Sequence, residues 1–447
     1  MAQLQLIADL PGHAEPAWQV AFNPTRNLLA SCSTDKTFRL YSYALPKSDS
    51  GDISIEAGDQ TTQAAYLTGL PKVDDAKPVF NLVGVTKTEH KRTIRSIAWA
   101  PSGRTLATGS FDSTVGVWEE IDPEDDDSSE SSEVQDEAMD LDDDEGQGAR
   151  RAGGRKEKFG EWECVTALEG HESECKSVGF SSDGGLLASC SRDKSVWVWE
   201  VQPDADFECI AVLMEHSQDV KTIAWHPKEE ILASASYDSH IHLLFDDPDG
   251  DWCPFQKLHP KLPPAQLTIE SPSPSLRSAL ERNEEDEAIE RLAVPPLEED
   301  ETVWSLGWSP CGRYLASGGD MGGIRIWTRR GTNPDSPFDE TVHTSAHSRS
   351  VFSLSWTTGG LPSEQGGLGL LASAGGDGKV IVWQISRSPD GEDGIRVEPI
   401  AAVRNAHGVS EVNSVHWCVR GDGPKGSMLA SCGDDGTVKV WRVAIGQ

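Results

Sequence analysis

Seven copies of one stretch of sequence occur along the chain, and this repetition limits the possible folds more than any other feature. The clearest copy is residues 171–199, which read HESECKSVGFSSDGGLLASCSRDKSVWVW. The other copies begin at His13, His90, His216, Val303, His347 and His407. Such repeats form a stack or ring of similar units, because one unit cannot bury its apolar face alone.

Each copy contains three short β patterns separated by turns. In residues 171–199 the run SVGF alternates, LLASC is small and apolar, and SVWVW is β-branched and aromatic. A four-stranded repeat of about 40–45 residues, with a His near its start and a Trp at its end, is typical of WD40 blades. We therefore predict an all-β fold, a seven-bladed WD40 β-propeller. The alternative is a β-sandwich with chance similarity between its strands.

Polar residues at fixed spacing predict a hydrogen-bonded tetrad in each blade. A His precedes an Asp by 22 residues in four copies. In a WD40 blade the Asp pairs with the His, the His contacts a hydroxyl, and that hydroxyl accepts the Trp indole N–H. Such sets resemble catalytic triads, but triads are recognised by geometry and role, and a repeated set is structural. The clearest predicted tetrads are His171, Ser189, Asp193 and Trp199, and His90, Thr108, Asp112 and Trp118.

Three copies depart from this pattern. The fifth has Glu299 in the His position and Met321 in the Asp position, so both partners are lost together. The first and fourth have Tyr41 and Leu244 in the Trp position. We predict that these three blades are locally less stable than the third.

The two ends of the chain predict how the ring closes. The N-terminal text QLQLIAD reads as a strand without a repeat of its own, and the last copy ends after its third strand, VKVWRV. Pairing of residues 3–8 with residues 437–443 would complete the last blade and remove an exposed sheet edge.

Three insertions interrupt a single domain that we assign to residues 1–447. Residues 43–89 are predicted to form a loop. Residues 119–160 are predicted to be disordered, because residues 119–145 hold sixteen acidic side chains and no Lys or Arg. This run is expected to be a solvated spacer, with a regulatory, phosphorylatable arm as the alternative. Residues 246–300 are Pro-rich and acidic, and a short helix capped by Ser275 is expected there.

The charge and the cysteines exclude several classes of protein. With 39 basic and 73 acidic residues, the net charge of −34 argues against direct binding of nucleic acid. No apolar run reaches the roughly 18 residues of a membrane helix, and the N-terminus does not read as a signal peptide. The nine cysteines include no CxxC pair, as expected for reduced thiols of a cytosolic or nuclear protein.

We expect neither a metal nor a cofactor. An iron–sulfur cluster needs several thiolates close together, whereas the cysteines here are scattered along the chain. Cys32, Cys190 and Cys432 occupy the same small-residue position of the second strand in three different copies. They are therefore predicted to fill the core.

The third and fourth copies carry a more specific resemblance. SCSRDKSVWVWEV, followed by EHSQDVK, WHP and LASASYD, resembles the WD40 subunit of the cytosolic iron–sulfur protein assembly (CIA) targeting complex. The resemblance covers all seven copies and is strongest over residues 161–245. It implies a non-catalytic scaffold in cytosol and nucleus. Its implied partners are a small protein with a reactive cysteine, a large helical-repeat protein and apo iron–sulfur client proteins.

Two sets of positions point onto the top face of a WD40 propeller and are the predicted binding residues. One set starts the first strand of each blade, and the other precedes the turn Asp. In blades two to four they form a basic and aromatic sector: Arg95, Phe111, Lys176, Arg192, Lys221 and Tyr237. Trp18, Trp304 and Phe352 are predicted to lie opposite this sector. The resemblance places Arg192 on this surface, and Arg and aromatic side chains are common interface anchors.

The leading interpretation is therefore an adaptor for delivery of iron–sulfur clusters. A substrate receptor of a ubiquitin ligase and a chromatin adaptor are the alternatives, because fold alone does not decide function. Another alternative is that these basic residues are ordinary exposed side chains, paired with neighbouring carboxylates such as Glu174 and Asp219.

Overall fold

The structure consists of seven small antiparallel sheets arranged in a closed ring. The computed structural model describes residues 2–46, 72–73, 75–121, 159–203, 206–265, 272–281, 301–345, 347–388, 394–418 and 427–445. Each sheet has four strands. The first strand of every blade contacts the first strand of the next, all the way round. The predicted seven-bladed WD40 β-propeller is confirmed.

The strands follow one another from the centre of the ring to its rim. The N-terminal strand is β1 (Ala2–Leu10). Blade one contains β2 (Ala17–Phe22), β3 (Leu28–Ser33), β4 (Thr37–Ala44) and β5 (Val79–Lys87). Blade two contains β6 (Ile94–Trp99), β7 (Thr105–Ser110), β8 (Val115–Ile121) and β9 (Glu161–Leu168). Blade three contains β10 (Cys175–Phe180), β11 (Leu186–Ser191), β12 (Val196–Val201) and β13 (Phe207–Leu213).

The remaining blades repeat this order. Blade four contains β14 (Val220–Trp225), β15 (Ile231–Ser236), β16 (Ile241–Asp246) and β17 (Trp252–Leu258). Blade five contains β18 (Val303–Trp308), β19 (Tyr314–Gly319), β20 (Gly323–Arg329) and β21 (Phe338–Ser345). Blade six contains β22 (Val351–Thr357), β23 (Gly367–Gly375), β24 (Val380–Arg387) and β25 (Ile395–Val403). Blade seven contains β26 (Val412–Trp417), β27 (Met428–Gly433) and β28 (Val438–Ile445), and β1 is its fourth strand.

The first strand closes the ring on the last. β1 pairs antiparallel with β28, from Ala2 opposite Ile445 to Leu10 opposite Val438. The predicted closure is confirmed. An edge of β28 that would otherwise be open is thereby paired, and chain segments from the two ends share one sheet.

The hydrophobic core lies between neighbouring blades. Every residue of β3, β11 and β15 is buried, and these strands read LLASCS, LLASCS and ILASAS. Their small side chains let the larger ones of the next blade come close. Phe38 of blade one, for example, meets Trp118 of blade two edge-on at 5.3 Å between ring centroids. Blade-to-blade burial of this kind is how repeat proteins obtain a continuous core.

The insertions differ in part from the predictions. The range 43–89, predicted as a loop, contains β5, the outer strand of blade one, so that prediction was wrong for these residues. Arg442 of β28 donates to the carbonyls of Val73, Asp75 and Ala76, which holds the end of this insertion against blade seven. The range 119–160, predicted to be disordered, begins too early, because residues 119–121 form the end of β8. Residues 122–158 lie outside the described residues.

The insertion at 246–300 contains both β17 and a short helix. The helix, α1 (Pro274–Leu280), begins after Ser273, whose hydroxyl accepts the backbone N–H of Leu276 at 3.1 Å. Ser275 is not the cap, contrary to the prediction, because Pro274 occupies the first helical position. No helix in the described ranges is long and apolar enough to cross a bilayer.

Candidate partner-binding face

One irregularity recurs in every blade and creates a ring of side chains at one end of the propeller. The pairing of the first strand with the second shifts by one residue near its start in all seven blades. Such a β-bulge inserts an unpaired residue and re-aims its side chain. The seven bulge residues are Trp18, Arg95, Lys176, Lys221, Trp304, Phe352 and Asn413. They are the strand-start positions singled out from the sequence.

The residues that precede the turn Asp lie beside the bulge residues. Their backbone N–H groups all donate to a carbonyl just before the first strand, as Arg192 donates to Glu174 at 3.0 Å. Trp18 Nε1 donates to Thr34 Oγ1 at 2.8 Å, within blade one. In blade four, Lys221 Nζ lies 3.4 Å from the centroid of the Tyr237 ring. We call the end of the propeller formed by these two sets of residues the top face.

The His–Asp contacts fasten the turns that form the top face. In blade three, His171 Nδ1 lies 3.0 Å from Asp193 Oδ2, and His171 Nε2 lies 2.8 Å from Ser189 Oγ. Trp199 Nε1 donates to the same Ser189 hydroxyl at 3.3 Å. Burial alone would raise the pKa of Asp193, but hydrogen bonds from His171 and Ser195 hold it well below its usual range. The carboxylate is thus ionised, and its oxygens accept hydrogen bonds that hold the turn in place.

Blade two has the same arrangement. His90 Nδ1 lies 3.3 Å from Asp112 Oδ2, and His90 Nε2 lies 2.8 Å from Thr108 Oγ1. Trp118 Nε1 donates to Thr108 Oγ1 at 2.9 Å. The His, Asp and hydroxyl groups therefore hydrogen-bond to one another, so the His and Asp side chains stabilise the fold rather than take part in a reaction.

The blades that depart from the pattern use other contacts. Tyr41 donates its hydroxyl to the carbonyl of Pro11 at 2.8 Å, and it is also hydrogen-bonded to Ser31, the hydroxyl that contacts His13. Leu244 is buried and its hydrocarbon side chain cannot form a hydrogen bond. Two residues earlier on the same strand, His242 stacks on His216 with ring centroids 3.9 Å apart. The substitution of a hydrocarbon for an indole leaves the hydroxyl of Ser234 with its His partner.

Blade five replaces the His–Asp pair with an ion-pair network. Glu301 accepts the backbone N–H of Met321 at 2.9 Å and the guanidinium of Arg325 at 3.0 Å. Arg325 also pairs with Glu340, and all three charged side chains are at most 12% exposed. Glu299, predicted for the His position, lies outside the described residues.

Basic side chains from blades two to four cluster on the top face. We call this cluster, defined by Arg92, Arg95, Lys176, Arg192 and Lys221, the basic sector. Glu174 pairs with Lys176 at 2.6 Å and Arg92 at 2.9 Å. Arg192 is 58% exposed and lies 3.9 Å from Glu174 and 3.8 Å from Asp219, distances that leave its guanidinium available to a partner. Arg92 was not singled out from the sequence, although it lies only two residues after a tetrad His.

Aromatic residues continue the basic sector on both sides. Arg95 lies 4.8 Å from the Trp18 ring, and Lys176 lies 4.1 Å from the Phe111 ring. On the other side, Lys221 lies 4.8 Å from the Trp304 ring. The prediction that Trp18, Trp304 and Phe352 lie opposite the basic sector was therefore wrong for Trp18 and Trp304, which flank it. Phe352 follows Trp304 at 5.4 Å.

Comparison with known proteins gives the family. A model of the WD domain, G-beta repeat, matches residues 4–42, 82–119, 162–200, 207–243, 296–328 and 400–442. A probable cytosolic iron-sulfur protein assembly protein 1 from Cryptococcus neoformans var. neoformans serotype D is 62% identical, over 99% of each chain. Proteins of the same name from Mycosarcoma maydis and Malassezia globosa are 40% and 41% identical, over 99% and 83% of this chain. They align over 94% and 95% of their own lengths.

The chain belongs to the cytosolic iron-sulfur protein assembly protein 1 family. The family that the sequence resembles is thereby confirmed. Its members match this chain over nearly their whole length, so the insertions are included in the alignments and not only the propeller core.

The cysteines of this family member are distributed over the propeller. Cys32, Cys190 and Cys432 are buried, one each in blades one, three and seven. Burial raises the pKa of the Cys32 thiol to about 12, so the thiol stays protonated. In the part of the chain that the structure describes, no three His, Cys, Asp or Glu side chains are arranged to hold a metal ion.

Proposed function

We propose that the protein is a non-catalytic adaptor of cytosolic iron–sulfur protein assembly. It would help to transfer iron–sulfur clusters to apo-proteins of cytosol and nucleus through protein–protein contacts. The names of its relatives support the pathway. The use of the repeated His, Asp and hydroxyl groups for folding supports the role of adaptor rather than enzyme. The cluster is cargo in this proposal and is bound by partners.

The proposed partners follow from the resemblance in the sequence. They are a small protein with a reactive cysteine, a large helical-repeat protein and apo iron–sulfur clients. A propeller suits this role because its faces and rim present separate surfaces, so that several proteins can bind one scaffold at once.

The basic sector is the observation that carries the proposal. Four of its five cations share two paired carboxylates, Glu174 and Asp219, in a protein with a net charge of −34. An excess of positive charge in one place favours an acidic surface on the partner, and it repels positively charged surfaces. We propose that this sector binds an acidic or carboxylate-bearing segment of a partner or client, with Arg192 as the outermost anchor.

Charge reversal at Arg192 tests this proposal. Tagged wild-type protein and Arg192→Glu are purified from native cells, and the co-purifying proteins are identified by mass spectrometry. We expect wild-type protein to recover iron–sulfur assembly proteins or their clients, and Arg192→Glu to lose at least one of them. The thermal unfolding midpoint should change little, because exposed ion pairs contribute only about 0–1 kcal/mol.

Arg396→Glu is the matched control. Arg396 is 46% exposed and pairs with Glu398 on β25, at the outer edge of blade six and away from the top face. This control should retain every partner. If Arg192→Glu recovers the same proteins as wild type, the binding site lies elsewhere. Recovery of a cullin adaptor or of histones, without assembly proteins, would favour a ubiquitin-ligase receptor or a chromatin adaptor instead.

A further inference from the structure

The outer strands of blades five, six and seven are covered by other parts of the chain. In blade five, the backbone N–H of Ala265 donates to the carbonyl of His343 in β21 at 2.9 Å, and Ala265 forms a parallel bridge with Thr344. In blade six, α1 packs against β25. In blade seven, the Gln5 side chain of β1 donates to the carbonyl of Val73 at 3.2 Å. Such coverage protects sheet edges that could otherwise pair with another chain.

Blade four protects its outer strand by residue type instead. β17 contains Pro254, which has no N–H to offer to a further strand. It also contains Lys257, a charged residue of the kind that opposes edge pairing. Pro254 still pairs in register with Leu244 of β16, so this backbone position does not need its N–H for the inner pairing. The N–H at this position of an outer strand therefore points away from the sheet.

Blade three has neither form of protection on its outer strand, β13. The register between the last two strands is the same as in blade four, and it places Cys209 and Val212 at the positions of Pro254 and Lys257. Among the described residues, no segment other than β12 pairs with β13. Val212 is 47% exposed, and Met214, which follows the strand, is 71% exposed. Exposed apolar side chains beside an unpaired edge are typical of a site where a strand is added.

Blade five shows which backbone groups of β13 point outward. His343 is the second residue after the bulge in β21, and Val212 is the second residue after the bulge in β13. The carbonyl of His343 accepts the N–H of Ala265, which lies outside the sheet. In an antiparallel pair the N–H and C=O of one residue point to the same side. We therefore expect both groups of Val212 to face an added strand.

Carboxylates near the start of β13 indicate the charge of that strand. Glu208 lies directly opposite Glu200 of β12, and like charges in this arrangement are unfavourable. Glu200 accepts a hydrogen bond from the Gln202 amide, and among the described residues no Lys or Arg pairs with either carboxylate. A cation brought to Glu208 by another chain would relieve this repulsion.

We propose that β13 binds an extended segment of a partner protein as a fifth strand of blade three. Apolar residues of that segment lie against Val212 and Met214, and a Lys or Arg lies beside Glu208. Backbone hydrogen bonds give the affinity, and the side chains give the specificity. β13 has seven residues and spans about 23 Å, which suits a strand of similar length. This site on the rim is separate from the basic sector and does not rest on the proposed function.

Binding of defined peptides to the full-length protein tests this site. The probe is a short, capped, fluorescent peptide of alternating Val and Thr that ends in two Lys. One matched peptide ends in two Glu, and another carries N-methyl groups on its Val residues and so lacks those backbone donors. Fluorescence anisotropy should show saturable binding of the Lys peptide. Both matched peptides should bind at least about tenfold more weakly, the loss expected for one charge-assisted contact or for lost backbone hydrogen bonds.

Two variants of β13 copy the outer strand of blade four, which the fold already tolerates. Val212→Lys places the counterpart of Lys257 on the edge, and Cys209→Pro places the counterpart of Pro254 there without adding charge. Each should lower the affinity for the Lys peptide at least about tenfold. Val85→Lys is the matched control, because Val85 has the same register in β5 and is 51% exposed. This control should bind like wild type.

Each result supports or overturns part of the proposal. No saturable binding of the Lys peptide, equal binding of the N-methylated peptide, or unchanged affinity in both β13 variants overturns the site. If Val212→Lys does not fold, Cys209→Pro decides. Equal affinity for the Lys and Glu peptides overturns the charge assigned to the partner, and an equal loss in Val85→Lys overturns the assignment to blade three.

Sedimentation of the protein alone tests a different occupant of the edge. Wild type should be monomeric. A dimer that Val212→Lys dissociates would show that a second copy of the chain occupies β13, and it would overturn the proposed partner segment. The recovery of partners by Arg192→Glu is measured separately, so failure of the basic sector leaves the β13 site standing, and the reverse also holds.

Discussion

The tetrad of blade six offers a sharp test of how burial determines the cost of losing a carboxylate. Asp377 accepts from His347 Nδ1 at 2.8 Å and from the backbone N–H groups of Ser348 and Lys379 at 3.0 and 3.2 Å. Lys379 Nζ lies 3.4 Å from the same carboxylate, and the two side chains are 5% and 1% exposed. Asp377→Ala would therefore leave a buried cation and two backbone donors without their acceptor.

The expected cost follows from these contacts. Breaking a buried ion pair by removing one partner costs about 3–5 kcal/mol, so we expect Asp377→Ala to lower the free energy of unfolding by about 4 kcal/mol. Asp435, in blade seven, is the comparison: it is 23% exposed, pairs with His407 at 2.9 Å and has no Lys partner among the described residues. Water can replace part of its contacts, so Asp435→Ala should cost about 1–2 kcal/mol.

Guanidinium unfolding of both variants and wild type measures this difference. The comparison is valid where the dependence of the free energy on denaturant is the same in all three proteins. Asp377→Asn is the matched control, since it keeps an acceptor oxygen for His347 and loses only the charge, and its cost should fall between the two. Equal costs for Asp377→Ala and Asp435→Ala, or a cost below about 1 kcal/mol for the former, would refute the reasoning.

Three further predictions follow from the structure. Burial alone would raise the pKa of the six tetrad carboxylates, but hydrogen bonds and nearby positive charges lower it. Their contribution to stability is therefore complete above the pKa of the unfolded state, about 4, and is lost as the pH falls below that value. Denaturant unfolding at decreasing pH should show this loss. Arg325→Met should cost about 3 kcal/mol, because it leaves Glu301 and Glu340 buried without their cation, whereas Arg396→Met should cost less than about 1 kcal/mol in the same assay. Hydrogen exchange should find blades one, four and five less protected than blade three, and equal protection would show that their substitute contacts compensate fully.

Much of the fold could be predicted because each copy of the repeat carries the same pattern of strands, turns and polar residues. The constant spacing of His171 and Asp193, and of their counterparts, reflects a turn that must reach the same distance in each blade. The missed strand β5 reads VFNLVGVTK, whose β-branched residues indicate a strand, but it follows a long insertion and lies at the rim. The helix cap was missed by two residues because Ser273 and Ser275 flank Pro274, and both carry a hydroxyl.

The candidate site was predictable only in part. The strand-start positions could be listed from the repeat, but the bulge that re-aims them is a property of the pairing between two strands. Among the residues that the structure describes, no other blade has a network like that of Arg325, Glu301 and Glu340, so the repeat pattern does not predict it. The contact of Arg95 with Trp18 joins residues of different blades, and their neighbourhood depends on how the blades rotate relative to one another.

The sequence alone determined the number of blades, the tetrads and the strand that closes the ring, since each of these is a local pattern or a missing partner for one. Only the tertiary structure decided which charged groups face each other. Gln5 and Arg442 are 437 residues apart and hydrogen-bonded at 2.8 Å, and Arg192 meets Asp219 of the next blade. Such pairs form because ring closure brings every blade against its neighbours, and the energy of a charge depends on the partners and the water that this closure leaves around it.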